Sequence, residues 1–325
     1  MSNSKNLPVI AIDLGGTKII TALISESGVI LDRDRILTQA SEGPEAVIER
    51  MLGTIDRLLE RRNMKAGDLK GICVAAASPV DMKKGIVSTP PHLPGWYAVP
   101  LRDIVRDRYG IDTYLINDVK AAVLGEHRFG AGTGVDNLIC ITLGTGIGGG
   151  IITNGRLYLG EVGGAGEVGH MTLDANGPRC ACGNTGCWEL FVSGTAMERE
   201  VARHLSSGES SSLAEINQKN GRVTAKDIAR AARNGDVLAI RVIAGSARYL
   251  GIGLVNLVNI FNPGMIIIGG GLSKVGDLLL EPAIQVVKDK AFRVLSGAVR
   301  IVPSILGDDA AVLGGAAFVF SGGIV

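Results

Sequence analysis

The sequence predicts an α/β protein built from two similar halves, and three observations lead there. Two segments share one pattern of apolar strand, glycine-rich turn and second strand. Pro8–Ser25 turns through Asp13-Leu14-Gly15-Gly16-Thr17-Lys18, and Asn137–Asn154 turns through Leu143-Gly144-Thr145-Gly146-Ile147-Gly148-Gly149. Alternating helix and strand patterns follow each segment, the grammar of layered α/β folds. Finally, 325 residues are more than one core of ordinary size serves.

In the first half, Pro44–Arg62 carries Val47, Ile48, Met51, Leu52, Ile55, Leu58 and Leu59 at the three-four spacing of an amphipathic helix. Gly71–Ala77 reads as a short buried strand and the proline-dense Ser88–Pro100 as a loop. Leu101–Arg108 is expected as a helix, Thr113–Ile116 as a strand and Val119–Phe129 as a helix. In the second half Gly155–Gly186 is irregular, Trp188–His204 a helix and the serine-rich Ser206–Asn220 a mobile surface segment. Helices follow over Ala225–Arg233 and Val237–Phe261, and the strand Met265–Ile268 runs into Gly269-Gly270-Gly271. A helix from about Val275 to Leu295 precedes the strand Val299–Pro303, and a last helix from near Asp309 packs back on the first half. The expected division is a small domain, 1–117 joined by the C-terminal helix 309–325, and a large domain, 118–308.

Composition narrows the function classes. Lys and Arg number 33 against 32 Asp and Glu, with no block of like charge, so the basic face that nucleic acid requires is not advertised. The N-terminal MSNSKNLPVIAIDLGG breaks its apolar run at Asp13 and offers no small-residue cleavage site, unlike a secretory signal. Asn137–Gly155 and Tyr249–Ser273 lack charged residues over roughly the ~20 residues a membrane span needs. Their Asn, Thr and clustered Gly, with Asn262-Pro263-Gly264 in the second, favour buried strands and helices. Five cysteines in such a chain read as reduced cytoplasmic thiols, with Cys73 and Cys140 as small buried side chains in apolar runs. The 46 glycines, about twice the usual ~7% share, follow no collagen period and concentrate between Leu143 and Gly194.

Several motifs carry chemistry. In Asp13–Lys18, glycines let backbone N–H groups and the Thr17 hydroxyl approach a phosphate, and a carboxylate at the strand end can hold hydrated Mg²⁺. A tight Gly-Gly hairpin accounts for the turn equally well, and it lacks the G-x-x-x-x-G-K-[ST] of a Walker loop. Leu143–Gly150, with five glycines in eight residues, repeats the idea in the matching place, where a bulged hairpin is the competing reading. Asn117-Asp118 stands where a strand gives way to a helix. Either residue can cap the helix, worth about 1 kcal/mol, or a carboxylate at that strand edge can take a proton from an attacking hydroxyl.

The strongest local signal is His170, Cys180, Cys182 and Cys187, spaced H-x9-C-x-C-x4-C. One imidazole and three thiolates complete a closed tetrahedral zinc site, which is structural; a disulfide is the alternative. Glu167 and Glu189 flank that loop. Each alone reads as a surface carboxylate, but beside a pinned loop they can accept hydrogen bonds from a polyhydroxylated ligand.

Together, Asp13–Lys18, Asn117-Asp118, Leu143–Gly150, Glu167-Val168-Gly169-His170, the stretch Cys180–Glu189 and Ile268–Leu272 resemble the ROK family, from about Leu7 to the C-terminus. That family groups bacterial sugar kinases with sugar-responsive repressors on the actin-like ATPase (ribonuclease H-like) fold, two domains with a cleft between them. The resemblance implies a cytoplasmic ATP-dependent kinase using Mg²⁺ and a structural Zn²⁺, a homodimer or homotetramer whose partners are a sugar and MgATP, not nucleic acid or membrane. By the same resemblance Asp13, Gly15, Gly16, Thr17 and Lys18, with Gly144, Thr145, Gly146 and Gly148, hold the phosphates, and Gly270 and Gly271 lie by the adenosine. Asp118 is the general base, Asn117, Asp118, Glu167, His170 and Glu189 bind the sugar, and His170, Cys180, Cys182 and Cys187 hold zinc. His170 then acts twice, one ring nitrogen on the metal and the other toward the sugar.

Three places depart from the glucokinase-like pattern: Pro91-His92-Leu93-Pro94-Gly95-Trp96 has His where Asn is expected, Val119-Lys120 replaces Ala-Asn, and Ala76-Ala77-Ser78-Pro79-Val80-Asp81 lacks the usual glycines. They fall where sugar contacts are expected. The implied reaction is phosphorylation of a hexose 6-hydroxyl, glucose first, with an N-acetylhexosamine (ManNAc or GlcNAc) or fructose as the alternative substrate and polyphosphate as an alternative donor. In another class stands a sugar-responsive regulator without catalysis, disfavoured because only 12 residues precede Asp13, where such regulators carry a helix-turn-helix.

Overall fold

The computed structural model describes residues 7–77, 79–88 and 93–324. Along the chain run β1 (Val9–Leu14), β2 (Lys18–Ile24), β3 (Ile30–Leu37), α1 (Pro44–Arg61), β4 (Gly71–Ala76), the short β5 (Val80–Asp81) and β6 (Ile86–Val87), α2 (Leu101–Tyr109), β7 (Thr113–Asn117) and α3 (Asp118–Phe129). Then come β8 (Leu138–Leu143), β9 (Ile147–Thr153), β10 (Arg156–Leu157), α4 (Glu189–Val192), α5 (Gly194–Ser206), α6 (Leu213–Asn220), α7 (Ala225–Arg233) and α8 (Val237–Phe261). The chain closes with β11 (Met265–Gly269), α9 (Asp277–Lys290), α10 (Arg293–Ala298), β12 (Arg300–Pro303) and α11 (Ala310–Phe320).

The repeated strand-turn-strand pattern has a structural counterpart in two five-stranded sheets. Their orders are β3-β2-β1-β4-β7 and β10-β9-β8-β11-β12, the same path taken twice. In each, the third, fourth and fifth strands of the order are parallel. Burial on both faces suits the apolar runs VIAI of β1 and GICVAA of β4.

Contacts divide the chain into two compact units, Met1–Asp136 with Gly150–Ala165 and Ile305–Val325, and Asn137–Gly149 with Gly166–Ser304. In the first unit, α1 lays Val47, Met51, Ile55 and Leu58 on Ile10, Ile12, Leu14, Ile72 and Val74. Strand alternation points Ala11 and Cys73 the other way, toward α11, where Gly315 leaves room for them: a Cβ there would lie 3.2 Å from the Ala11 Cβ and 3.3 Å from the Cys73 Sγ. The helix α11 is apolar on almost every side, with Val312, Leu313, Ala316, Ala317, Phe318 and Val319 all buried, as a helix wedged between sheet and neighbouring helix must be. That neighbour is α3. The expected boundary at 117/118 therefore differs from the division by contacts: α3 joins the first unit through its packing on α11.

Several element expectations are corrected in detail. Trp188–His204 is two helices, because Ser193 turns to extended backbone and its hydroxyl accepts the Ala196 N–H at 3.1 Å, capping α5. The Val275–Leu295 helix starts after Gly276 (φ +75°) as α9 and breaks at the extended Ala291 before α10. Ser206–Asn220 carries α6, and its serines are anchored: the Asp236 carboxylate accepts from the Ser211 and Ser212 hydroxyls at 2.8 and 2.7 Å. Of the proline-dense loop, residues 89–92, and with them His92, lie outside the described residues, as does Ser78; beyond them Trp96 is fully buried and Val99 pairs with Val87. All five cysteines are unbridged, and Cys73 and Cys140 are buried. The charge-free stretch from Tyr249 is the end of α8 followed by β11; α8 is long and apolar enough to cross a membrane, and it packs against α9, α7 and α5.

Substitution at the tightest contact tests this packing. A Cβ on Gly314 would lie 1.6 Å from the Ala121 carbonyl oxygen, whereas one on Gly297 of α10 meets nothing within 4 Å. Gly314→Ala is expected to destabilise by ~3 kcal/mol or more and Gly297→Ala to be neutral or stabilising by up to ~1 kcal/mol, read as urea midpoints.

Candidate active site

Register alone gathers the acidic residues of the first unit. Along the parallel strands β1, β4 and β7, Leu14 lies beside Ala76 and Ala76 beside Asn117. The C-terminal edge thus presents Asp13, Ala76 and Asn117-Asp118 side by side, where α/β sheets place their ligands. The turn after Asp13 closes with Gly15 N–H donating to the Lys18 carbonyl at 3.1 Å. Thr38 braces it, its hydroxyl donating to the Gly15 carbonyl at 2.6 Å and its N–H to the Thr17 carbonyl at 3.0 Å. Thr17 itself is exposed.

Asn117 does cap a helix. Its side-chain oxygen accepts the Val119 and Lys120 N–H groups at 3.1 and 3.2 Å, and its amide donates to Asp118 Oδ1 at 3.0 Å. Asp118 Oδ1 also accepts the Val119 N–H at 2.9 Å, and the backbone N–H of Asp118 itself bonds its carboxylate. Burial pushes Asp118 up to about 6, against the opposing pull of the Val119 N–H, the Lys120 ammonium and the Asn117 amide. Burial and then the Asp118 charge push Asp13 up to about 7, with Lys18 pulling down and Asp308 pushing up. Lys120, one of the departures from the family pattern, is only 4% exposed.

Two further charged residues, not singled out by the sequence motifs, brace this edge. Asp308, in the single 3₁₀ turn Gly307–Asp309 before α11, pairs with Lys18 at 3.0 Å. Glu126, fully buried in α3, accepts the Ala131 N–H at 2.9 Å and the Leu306 N–H at 3.1 Å, tying the start of that 3₁₀ turn to α3. The signal for Asp308 was the run Gly307-Asp308-Asp309 ahead of an apolar helix.

The second unit gathers the other candidates. The β8–β9 turn closes with Gly144 N–H donating to the Gly146 carbonyl at 2.9 Å and docks on the start of α5, where Gly194 N–H donates to the Gly144 carbonyl and the Thr195 hydroxyl to the Thr145 carbonyl. Gly270 (φ +84°) packs on Leu143, where a Cβ would lie 2.3 Å from a carbonyl oxygen, so Gly270-Gly271 stand beside this turn. Gly148 lies in β9, which starts at Ile147, and Gly169 lets the Glu167–His170 segment abut the Ile147 carbonyl.

His170, Cys180, Cys182 and Cys187 present ligand atoms all within 4.8 Å of one another. Cys182 and Cys187 sulfurs lie 3.6 Å apart, far from the ~2.05 Å of a disulfide and close to the roughly 3.8 Å edge of a tetrahedron with Zn–S near 2.3 Å. The donor set and spacing fit zinc. His170 turns Nδ1 to the cluster, 3.8 Å from Cys180 Sγ. Glu189, at the head of α4, sets Oε1 at 3.5 Å from that nitrogen and 3.3 Å from Cys180 Sγ. Its Oε2 occupies the space where a Gly146 Cβ would stand, at 2.6 Å. The carboxylate therefore links the metal cluster to the glycine turn.

In sum, Asp13, Gly15, Gly16, Thr17, Lys18, Asn117 and Asp118 lie together in the first unit, and Gly144, Thr145, Gly146, Gly148, Glu167, His170, Glu189, Gly270, Gly271 and the three cysteines in the second.

Comparison with known proteins places this arrangement. The ROK family model matches residues 9–321. A glucokinase of Thermotoga maritima is 37% identical over 313 residues, 96% of this chain and 97% of its own length. A ROK family glucokinase of Streptomyces griseus, solved in complex with glucose and AMPPNP, superposes with a TM-score of 0.80 at 34% identity, covering 95% of this chain and 98% of that one. A ROK family transcriptional regulator homologous to the E. coli MLC protein superposes with a TM-score of 0.86 at 29% identity, covering 99% of this chain and 79% of that longer one. The chain belongs to the ROK family, and its fold is the α/β kinase fold of that family.

Proposed function

We propose that this protein is an ATP-dependent hexose kinase that phosphorylates the 6-hydroxyl of glucose. The observation that carries the reading is Asp118, a carboxylate that opens α3 at the C-terminal strand edge, one residue beyond the end of β7 and near Asp13. A base poised near 6 is largely ionised at neutral pH and still basic enough to take a hydroxyl proton. The glucokinase relatives supply glucose as first substrate.

In this mechanism Asp118 Oδ2 accepts the 6-hydroxyl proton as that oxygen bonds to the γ-phosphorus and the bond to the ADP oxygen breaks. Asn117 holds Oδ1 and thereby the carboxylate plane. Asp13 and the backbone of Gly15–Lys18 are the phosphate-binding groups of the first unit, and the Gly144–Gly148 turn with Gly270-Gly271 the nucleotide-binding groups of the second. Mg²⁺, when bound near Asp13, neutralises phosphate charge, the main demand of a loose phosphoryl-transfer transition state. Zinc, when bound by His170 and the three cysteines, fixes the loop; Glu167, His170 Nε2 and Glu189 are then held to accept from or donate to ring hydroxyls.

ADP release across glucose, mannose, fructose, N-acetylglucosamine and N-acetylmannosamine tests the substrate. Glucose is expected to give the highest kcat/KM, and no turnover with any of the five contradicts the reading and favours a sugar-binding regulator. Asp118→Asn is expected to lower kcat ~10²-fold or more with zinc content unchanged. In the wild type, kcat falls as pH drops through about 6, because Asp118 works only as the carboxylate; a flat profile from pH 8 to 5 contradicts the base assignment.

Removal of zinc separates its role from catalysis. Burial holds the Cys180 and Cys187 thiols above their usual range, so metal uptake displaces protons and strengthens as pH rises. Chelation is expected to raise the KM for glucose ~10-fold or more while the nucleotide KM changes little; equal loss of both contradicts a zinc-positioned sugar loop.

A further inference from the structure

We infer that Asp308 is the positioning partner of Lys18 and makes the first glycine turn select metal-complexed over free nucleotide; the inference rests on the kinase reading only in taking that turn as a phosphate site. Three observations support it. The Lys18 ammonium sits 3.0 Å from Asp308 Oδ2, so the cation of the turn is already matched by a carboxylate. The 3₁₀ turn that carries Asp308 is fixed from two other sides, by Glu126 on the Leu306 N–H and by an Arg33–Asp309 ion pair at 2.7 Å. A surface pair built only to decorate the fold would not need such a rigid base. Asp308 also lies near enough to Asp13 for its charge to help raise that carboxyl.

The charges that act on Asp13 and Asp118 are those two carboxylates, Asp308, Lys18 and Lys120. With three carboxyl groups against two ammonium groups, this strand edge offers a bare triphosphate no net positive charge. A divalent cation on the phosphates offsets most of the repulsion they meet at Asp13 and Asp308, so the carboxylates penalise the metal-free form chiefly. Asp308 meanwhile holds Lys18, a side chain with much rotamer freedom to lose, at the turn until a phosphate oxygen replaces the carboxylate.

The test is calorimetric binding of ATP to the full chain with Mg²⁺ and with EDTA. Asp308→Asn is expected to tighten binding of metal-free ATP about 5-fold, the effect of one charge partly screened by water, while the Kd for MgATP changes less than about 2-fold. Asp308→Glu, which keeps the charge, is expected to keep the wild-type ratio of the two constants. Excess ATP over Mg²⁺ should accordingly inhibit the Asn variant more strongly, with the glucose KM unmoved. An unchanged ratio in Asp308→Asn, or a Glu variant that behaves like Asn, overturns the inference and leaves the kinase reading intact. A wild type that binds MgATP but phosphorylates no sugar fails the kinase reading alone, and one that binds neither form of ATP overturns both. Should Asp308→Asn not fold, Asp308→Ser and Asp308→Ala carry the same expectation.

Discussion

The backbone contact between α3 and α11 is the constraint on which the first unit depends. Gly125 and Gly314 face one another with no room for a Cβ on either: one on Gly125 would lie 2.3 Å from the Ala310 carbonyl oxygen. This approach sets the start of both helices at the strand edge. Asp118 opens α3, and Asp308 and Asp309 stand just before α11. Glu126 then spans from α3 to the Leu306 N–H, a buried carboxylate satisfied by backbone N–H groups rather than left unpaired at a cost of a few kcal/mol. The catalytic candidate, the partner of Lys18 and the turn that bears it are therefore products of one glycine-mediated contact.

The same geometry carries an energetic cost. Asp13 and Asp118 are pushed above the usual carboxylate range because burial disfavours their charge. Their contribution to stability is fully present below the ordinary carboxylate value and is lost as pH rises through about 6 for Asp118 and about 7 for Asp13. At neutral pH the fold thus holds Asp118 largely ionised, and Asp13 about half so, against its own preference. Strain of this kind is expected where charge is kept ready for a cation or a proton.

Much of this was legible in the sequence. The paired strand-turn-strand patterns gave the two matching sheets, the spacing of His170 and the three cysteines gave a cluster of the right dimensions, and the three-four apolar spacing gave α1. What was illegible depended on distant partners. Ser193 breaks a helical pattern because its hydroxyl caps α5, and Asp236 pins serines that composition alone marks as mobile. The boundary at 117/118 followed the strand-to-helix change, whereas packing on α11, nearly two hundred residues away, and on β7 and β4 groups α3 with the first unit. The run Gly307-Asp308-Asp309 marked a helix start, but the pairing of Asp308 with Lys18, at the other end of the chain, was not legible for the same reason.

The central claim is that Asp118 is the base that meets the 6-hydroxyl while the zinc-held loop binds the same sugar. A crystal structure of the zinc-loaded protein with glucose and a non-hydrolysable ATP analogue tests it most directly. The account predicts the 6-hydroxyl within about 3 Å of Asp118 Oδ2, with Glu167, His170 and Glu189 on the ring hydroxyls. A glucose whose 6-hydroxyl points away from Asp118, or a sugar that touches none of the zinc-loop residues, would contradict it.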